Sequence, residues 1–527
     1  MPKLRGALLV DGTTTPRWMA DALVEAQARN LEVILILRCK NVHKPRQILR
    51  HWLYYVINLW MMRGPEESPV GLAELGLSGI PEHEFIAETE GAWQRFPTEL
   101  KKVLADARCD LVIKTGMGLL RDPDDCGVKF GVLSFHHGDP SEFRGRPAGF
   151  YEILAGQGSM GVIVQRLSNR LDGGTILAFA RSRVFQYSYR QTLAAARRSS
   201  RHLLWKAIDT AVSEHTIAIG TGGKNYRLPS FLTALYFLIR LAVSLLRRLL
   251  YGAFIEKHWQ LSEVEFPNGV PLKGLLPIRS LSVPSRYVFL ADSFYLPDGS
   301  IVAEAMRRSD GKGEIVRVLE DGTCHCLSNE PGRHLSYPFC ITADGQSYLL
   351  PEVASWSAPF LQEIKRDGSF LTRHPLAGLE RERLVDPTWI RIGMIDYIFA
   401  GKPGSEADHL HLWFSKDGIK GPYRAHPKSP VVIDSVRARM GGGFISQNGK
   451  LVRVGQDGTG PYGNGVTFCE VLIISEDEYI ERSLGQIRVD GATGPHTYVV
   501  RGKRLLYDWY EDQFSMLAGI RRLMARS

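Results

Sequence analysis

The chain has 527 residues, more than one ordinary domain holds, which predicts roughly two or three domains. Apolar residues make up 44% and charged residues 23%, the balance of a folded globular protein, so a disordered chain is excluded. The 65 Lys and Arg against 56 Asp and Glu leave a net charge of +9, a weak lean towards anionic partners and no ground for expecting a nucleic acid.

The opening residues, MPKLRGALLVDG, hold no apolar run long enough for a signal peptide. The cysteines are Cys39, Cys109, Cys126, Cys324, Cys326, Cys340 and Cys469. They are few, odd in number and mostly set in apolar runs, which predicts reduced thiols in a cytoplasmic protein. Cys324-His325-Cys326 lacks a second ligand pair at zinc-finger spacing, so no metal is expected.

Residues 6–10 read as a buried strand, followed by a Gly/Thr-rich turn and a helix to about residue 29. Residues 33–37, 110–114 and 131–135 read as further strands. Strands alternating with helices predict an α/β, Rossmann-like parallel sheet covered on both faces. Such sheets bind ligands beyond the carboxyl ends of their strands. The first turn, Asp11-Gly12-Thr13-Thr14, lacks G-x-G-x-x-G, which argues against a dinucleotide there.

Chemistry is expected after residue 135. Ser134-Phe135-His136-His137-Gly138-Asp139-Pro140 follows a strand, then Phe143-Arg144-Gly145-Arg146-Pro147, then Leu171-Asp172-Gly173-Gly174. A carboxylate beside a histidine orients its ring and stabilises its charged form, a pairing suited to proton shuttling and oxyanion support.

These ordered motifs resemble the formyltransferase superfamily, whose pattern is Asn-x-His, a loop with Arg-Gly or Lys-Gly, and Asp-x-Gly-x-Ile-Leu. The resemblance implies catalytic roles for His136 and Asp172, with Ser134 standing where the family has Asn. A serine hydroxyl can also donate to the oxyanion, with shorter reach. It further implies 10-formyltetrahydrofolate as formyl donor, bound along Thr115, Gly116, Met117, Gly118 and Leu119, and an acceptor amine. Arg144 and Arg146 are expected either to meet an anionic substrate group or to form a solvated loop face.

Residues 231–250 form an amphipathic helix in which Thr233, Arg240, Ser244 and Arg247 share one narrow arc, too interrupted for a simple membrane span. Two readings stay open: an interdomain strut, or peripheral membrane contact through residues 230–251. Residues 51–62 are a second apolar stretch that could pack beside it.

From residue 285 short apolar runs alternate with Asp-Gly and Asn-Gly turns, and a strand–turn–strand pattern recurs five times, which predicts an all-β five-bladed propeller. Asp292, Tyr337, Glu352, Asp386, Arg437, Arg439, Gln456, Asp457 and His496 are the candidates for inner strand ends. This region resembles the propellers of arabinanases and levansucrases and, more closely in motif, the N-terminal domain of glucosamine inositolphosphorylceramide transferases. The resemblance implies glycan contacts for Asp292, Tyr337, Glu352, Asp386, Arg439, Asp457 and His496; Asp292 and Asp386 read equally well as turn caps.

The expected organisation is therefore a formyltransferase-like domain over 1–220, an amphipathic helix and linker over 221–284, and the propeller over 285–527. The expected activity is N-formylation of an amine, most plausibly an amino sugar of a glycoconjugate, with the propeller binding or selecting the glycan. The alternative is a glycan-binding or glycan-processing protein whose first domain is catalytically degenerate.

Overall fold

Seven strands build the first sheet: β1 (Leu4–Val10), β2 (Leu31–Cys39), β3 (Glu82–Phe85), β4 (Leu111–Lys114), β5 (Val132–His136), β6 (Ser159–Arg166) and β7 (Thr175–Arg183). This is a computed structural model; it describes residues 3–41, 49–61, 64–213, 217–267, 269–281, 284–328 and 330–524. The chain divides into two units, Met1–Arg247 and Arg248–Ser527.

The order across the first sheet is β7-β6-β5-β4-β1-β2-β3. β5, β4, β1, β2 and β3 are parallel, as expected. β6 is a correction, because it runs antiparallel to β5 and forms a hairpin with β7. Alternate residues of a strand face opposite sides. Ala7, Leu9, Leu35 and Leu37 accordingly pack with Leu100 and Leu104 of the helix Thr98–Asp106. Leu8 and Ile36 are just as buried on the other face.

In the second unit five sheets follow one another along the chain. Their first strands are Tyr287–Tyr295, Ser336–Ala343, Val385–Ile392, Met440–Gln447 and Tyr498–Arg501. Each first strand packs on the next, and Tyr498–Arg501 packs back on Tyr287–Tyr295, so the succession closes. A cavity of about 730 Å³ lies between them, lined by Phe294, Phe339, Phe444, Tyr498 and Arg501 among others.

The expected linker ends early. Ile255–Glu265 pairs antiparallel with Arg504–Phe514 from end to end, and Gly274–Leu276 adds in parallel to Tyr479–Val489. Both segments are sheet of the second unit, because an edge left unpaired there would leave a row of backbone groups unsatisfied. All seven cysteines are free. No helix among the described residues is long and apolar enough to cross a membrane.

Candidate functional site

His136 ends β5, and Asp172 lies in the loop joining β6 to β7. The loop brings the two together: His136 Nδ1 stands 3.3 Å from Asp172 Oδ1, with only 10% and 13% of their side chains exposed. Asp172 has φ +46°, a left-handed geometry that aspartate tolerates better than most residues. Its other oxygen accepts from Gly145 N at 2.7 Å, which fixes the carboxylate. Gly145 itself has φ +86°, and a Cβ there would meet the Tyr226 carbonyl at 2.1 Å. That contact is the physical reason for glycine in the Arg-Gly motif.

The space between His136 and the loop that follows it is small. A cavity of about 10 Å³ is lined by His136, His137, Phe143, Arg146, Glu152 and Tyr226. Phe143–Gly145 pairs with Lys224–Tyr226, and Tyr226 stacks on Phe143 and on Tyr151. His136 Nε2 lies 3.4 Å from the Phe143 carbonyl. Arg144 Nε donates to Gly223 O at 2.9 Å and Nη1 to Thr221 O, so it ties down the chain's own strap. Arg146 is exposed at the lip.

Ser134 sits two residues before His136 on β5, on the same face by the strand repeat. His137 faces elsewhere: Nε2 meets Ser200 Oγ at 2.9 Å, the ring packs edge-on against Trp18, and burial pushes the imidazole down to about 3. The expected donor loop is held by its own hydrogen bonds. Thr115 Oγ1 donates to Leu9 O, Met117 N (φ +66°) to Asp11 Oδ1, and Gly118 N to Gln94 Oε1. Gly116 packs on the backbone at Asp11, and Leu119 is exposed.

The second unit gathers a buried charge network. Asp292, Tyr337 and Asp386 occupy matching bulges in the first strands of the first three sheets, with φ of +49°, +45° and +48°. His496 Nδ1 lies 3.0 Å from Asp292 Oδ1 and 3.5 Å from Asp508 Oδ2. Burial alone would lower the His496 pKa, but the Asp292 and Asp508 carboxylates outweigh it and hold it up at about 10. Arg439 Nε donates to Asp386 Oδ2 at 2.5 Å, and Gln456 Nε2 donates to the same oxygen at 3.2 Å. Glu352 Oε2 accepts from Asp386 N, and burial beside Asp386 pushes its carboxyl well up.

Two of the expected ligand contacts have their polar atoms taken up within the chain. Tyr337 is fully buried; its hydroxyl meets Thr388 Oγ1 and accepts from Gly442 N, which joins three sheets. Asp457 is taken up by Thr459 N and Oγ1, Asn464 Nδ2 and Arg488 Nη2, so it orders its own turn. What reaches solvent is Tyr462, 46% exposed, whose ring lies 4.5 Å from His496 and under the Arg439 guanidinium. Glu304 and Asp508 belong to the network and were not foreseen. Burial and the neighbouring Asp292 and Glu352 charges push Glu304 well up. Their sequence signal was a lone acid within an apolar strand, IVAEAM and LLYDWY.

Residues 323–495 match the family described as glucosamine inositolphosphorylceramide transferase 1, N-terminal. Glucosamine inositolphosphorylceramide transferase 1 of Oryza sativa subsp. japonica is 25% identical over 237 residues, 42% of this chain and 30% of that protein. The Arabidopsis thaliana protein of the same name is 28% identical over 238 residues, with the same coverage. The chain thus spans less than a third of the length of the curated relatives it matches. Among solved structures, glycinamide ribonucleotide transformylase 1 from Symbiobacterium toebii is 16% identical, covering 39% of this chain and 86% of that one, with a TM-score of 0.29. A formyltetrahydrofolate deformylase from Pseudomonas syringae pv. tomato is 17% identical, covering 40% and 60%, with a TM-score of 0.26.

Proposed function

We propose that the first unit transfers a formyl group to an amine, and that the second unit holds the glycan carrying that amine. The observation that carries the reading is the contact of His136 with Asp172, locked by Gly145. Asp172 orients the imidazole and offsets the charge the ring acquires when it takes the amine proton. The charged ring then supports the oxyanion at the formyl carbon, with the Ser134 hydroxyl as the second donor, and passes its proton to the donor nitrogen as the bond from that nitrogen to the formyl carbon breaks.

10-Formyltetrahydrofolate is the donor this reading implies. The cavity of about 10 Å³ between His136 and the strap is lined by neither Asp172 nor residues 115–119 and is too small to be the donor's site. Ser134, standing where the formyltransferase pattern has Asn, favours the second reading, a glycan-binding protein with a degenerate first unit.

The five closed sheets support a five-bladed propeller, with Tyr462, Arg439 and Glu352 as its glycan-facing rim. Tyr462 offers an aromatic face, and Arg439 and Glu352 offer charged hydrogen bonds. The relatives are named glucosamine inositolphosphorylceramide transferases, which supports an amino sugar as acceptor.

The test is incubation of the full chain with 10-formyltetrahydrofolate and amino sugars, including lipid-linked glucosamine. The expected product gains about 28 Da, and the gain is lost in His136→Ala. Glycan binding with no gain in any acceptor would establish the second reading.

A further inference from the structure

The helix Phe231–Phe254 buries only Ala234, Phe237 and Leu241. Phe237 stacks on Phe150 at 4.0 Å, which anchors the helix to the first unit's core. At 3.6 residues per turn the anchoring residues share one side. The opposite arc, about 120° wide, carries Leu232, Leu235, Ile239, Val243, Leu246 and Leu249, all in water, with Leu232 exposed at 74%. This inverts the usual surface helix, whose solvent face is polar. Arg240 and Arg247 flank that arc on one edge.

A second helix repeats the pattern. Trp52–Met61 buries only Tyr54 and Ile57 and leaves Leu59 and Trp60 outward, Trp60 at 83% exposure. The two helices meet where Trp52 packs against Phe231 at 5.6 Å and His51 Nδ1 lies 2.8 Å from the Pro229 carbonyl.

Charge is segregated onto the same two segments. Residues 40–63 carry Lys40, Lys44, Arg46, Arg50 and Arg63; residues 215–255 carry Lys224, Arg227, Arg240, Arg247 and Arg248. Neither segment contains an Asp or Glu. Ten basic residues without an acid exceed the whole chain's net charge of +9, so the rest of the protein is close to neutral.

We propose that these two helices form a docking surface for an anionic lipid bilayer, lying in its interface without crossing it. An apolar face with basic edges fits that occupant: the side chains enter the acyl boundary while the arginines meet phosphate or carboxylate headgroups. Tryptophan at the rim suits the same depth. A second copy of this chain fits less well, because each copy would bring the same unbalanced positive charge. The inference stands apart from formyl transfer and holds under either functional reading.

The test is co-sedimentation of the full chain with phosphatidylcholine vesicles, with and without about one-third phosphatidylserine. Binding is expected to the anionic vesicles and to fall as salt rises. Paired Arg240→Glu and Arg247→Glu should weaken it by about tenfold or more. Ile239→Glu with Leu246→Glu should abolish it, with an unchanged melting curve. Absence of vesicle binding by the wild type would overturn the proposal. So would an oligomer, seen by light scattering, that Ile239→Glu dissolves while vesicle binding is unaffected.

Discussion

Asp172→Asn tests the proposed chemistry most directly. Asparagine keeps the volume, tolerates the left-handed backbone at φ +46°, and retains an oxygen for Gly145 N. Only the charge facing His136 is lost. At 3.3 Å a full charge pair is worth about 5 kcal/mol at an effective dielectric near 20. Residual solvent at these partly exposed side chains reduces that to about 3–4 kcal/mol, or roughly 10²- to 10³-fold in rate. The assay is single-turnover formylation followed by mass, alongside circular dichroism to show an intact fold. The rate constant should fall by that factor with little change in the affinity for the amine. A variant within tenfold of wild type and properly folded would refute the role given to the carboxylate.

Three further outcomes follow from packing and charge. Asp386→Ala strands the Arg439 guanidinium beside buried neighbours and should lower the unfolding free energy by about 3–5 kcal/mol, with Asp386→Asn milder; urea denaturation reads the difference. Glu152 is 2% exposed, and burial pushes its carboxyl up to about 7, so the folded chain holds that proton more tightly than the unfolded one. Its stabilising contribution, on the order of 3 kcal/mol, should be fully present below about pH 4.5 and be lost as pH rises through about 7; denaturation across that range should show the slope, and Glu152→Gln should remove it. Phe237→Ala should destabilise by about 3–5 kcal/mol in thermal melts, while Leu232→Ala stays within about 0.5 kcal/mol, because only the first side chain is packed.

The legible parts of the first unit are those that local rules fix. β1, β2, β4 and β5 are apolar runs of strand length, and they were placed where the structure has them. β3, with the sequence EHEF, is an edge strand paired only to β2, so no apolar repeat marks it. The meeting of His136 and Asp172 was legible because both flank strands of one sheet. The closing strap was not: Gly223 to Tyr226 is held by backbone pairing and by Arg144, and neither leaves a pattern in the side chains.

In the second unit the sequence repeat marks where residues sit and leaves open what they face. Asp292, Tyr337 and Asp386 differ in chemistry but share a left-handed bulge at the same point of successive first strands. The repeat therefore preserves a backbone shape, and a residue at that bulge is turned into the ring of sheets, where it must be paired. Asp386 finds Arg439, Asp292 finds His496, and Tyr337 finds Thr388. The solvent-facing positions are residues one step outward, with Tyr462 the clearest, because its ring covers the paired charges and keeps nearly half its surface in water. Asp457 fits the same logic from the other side: Asp-Gly-Thr is a sequence in which the carboxylate binds the backbone two residues on, so its turn was written locally and a ligand was never needed to explain it. The acids worth testing for glycan contact are thus those left partly exposed by their partners, Glu352 first.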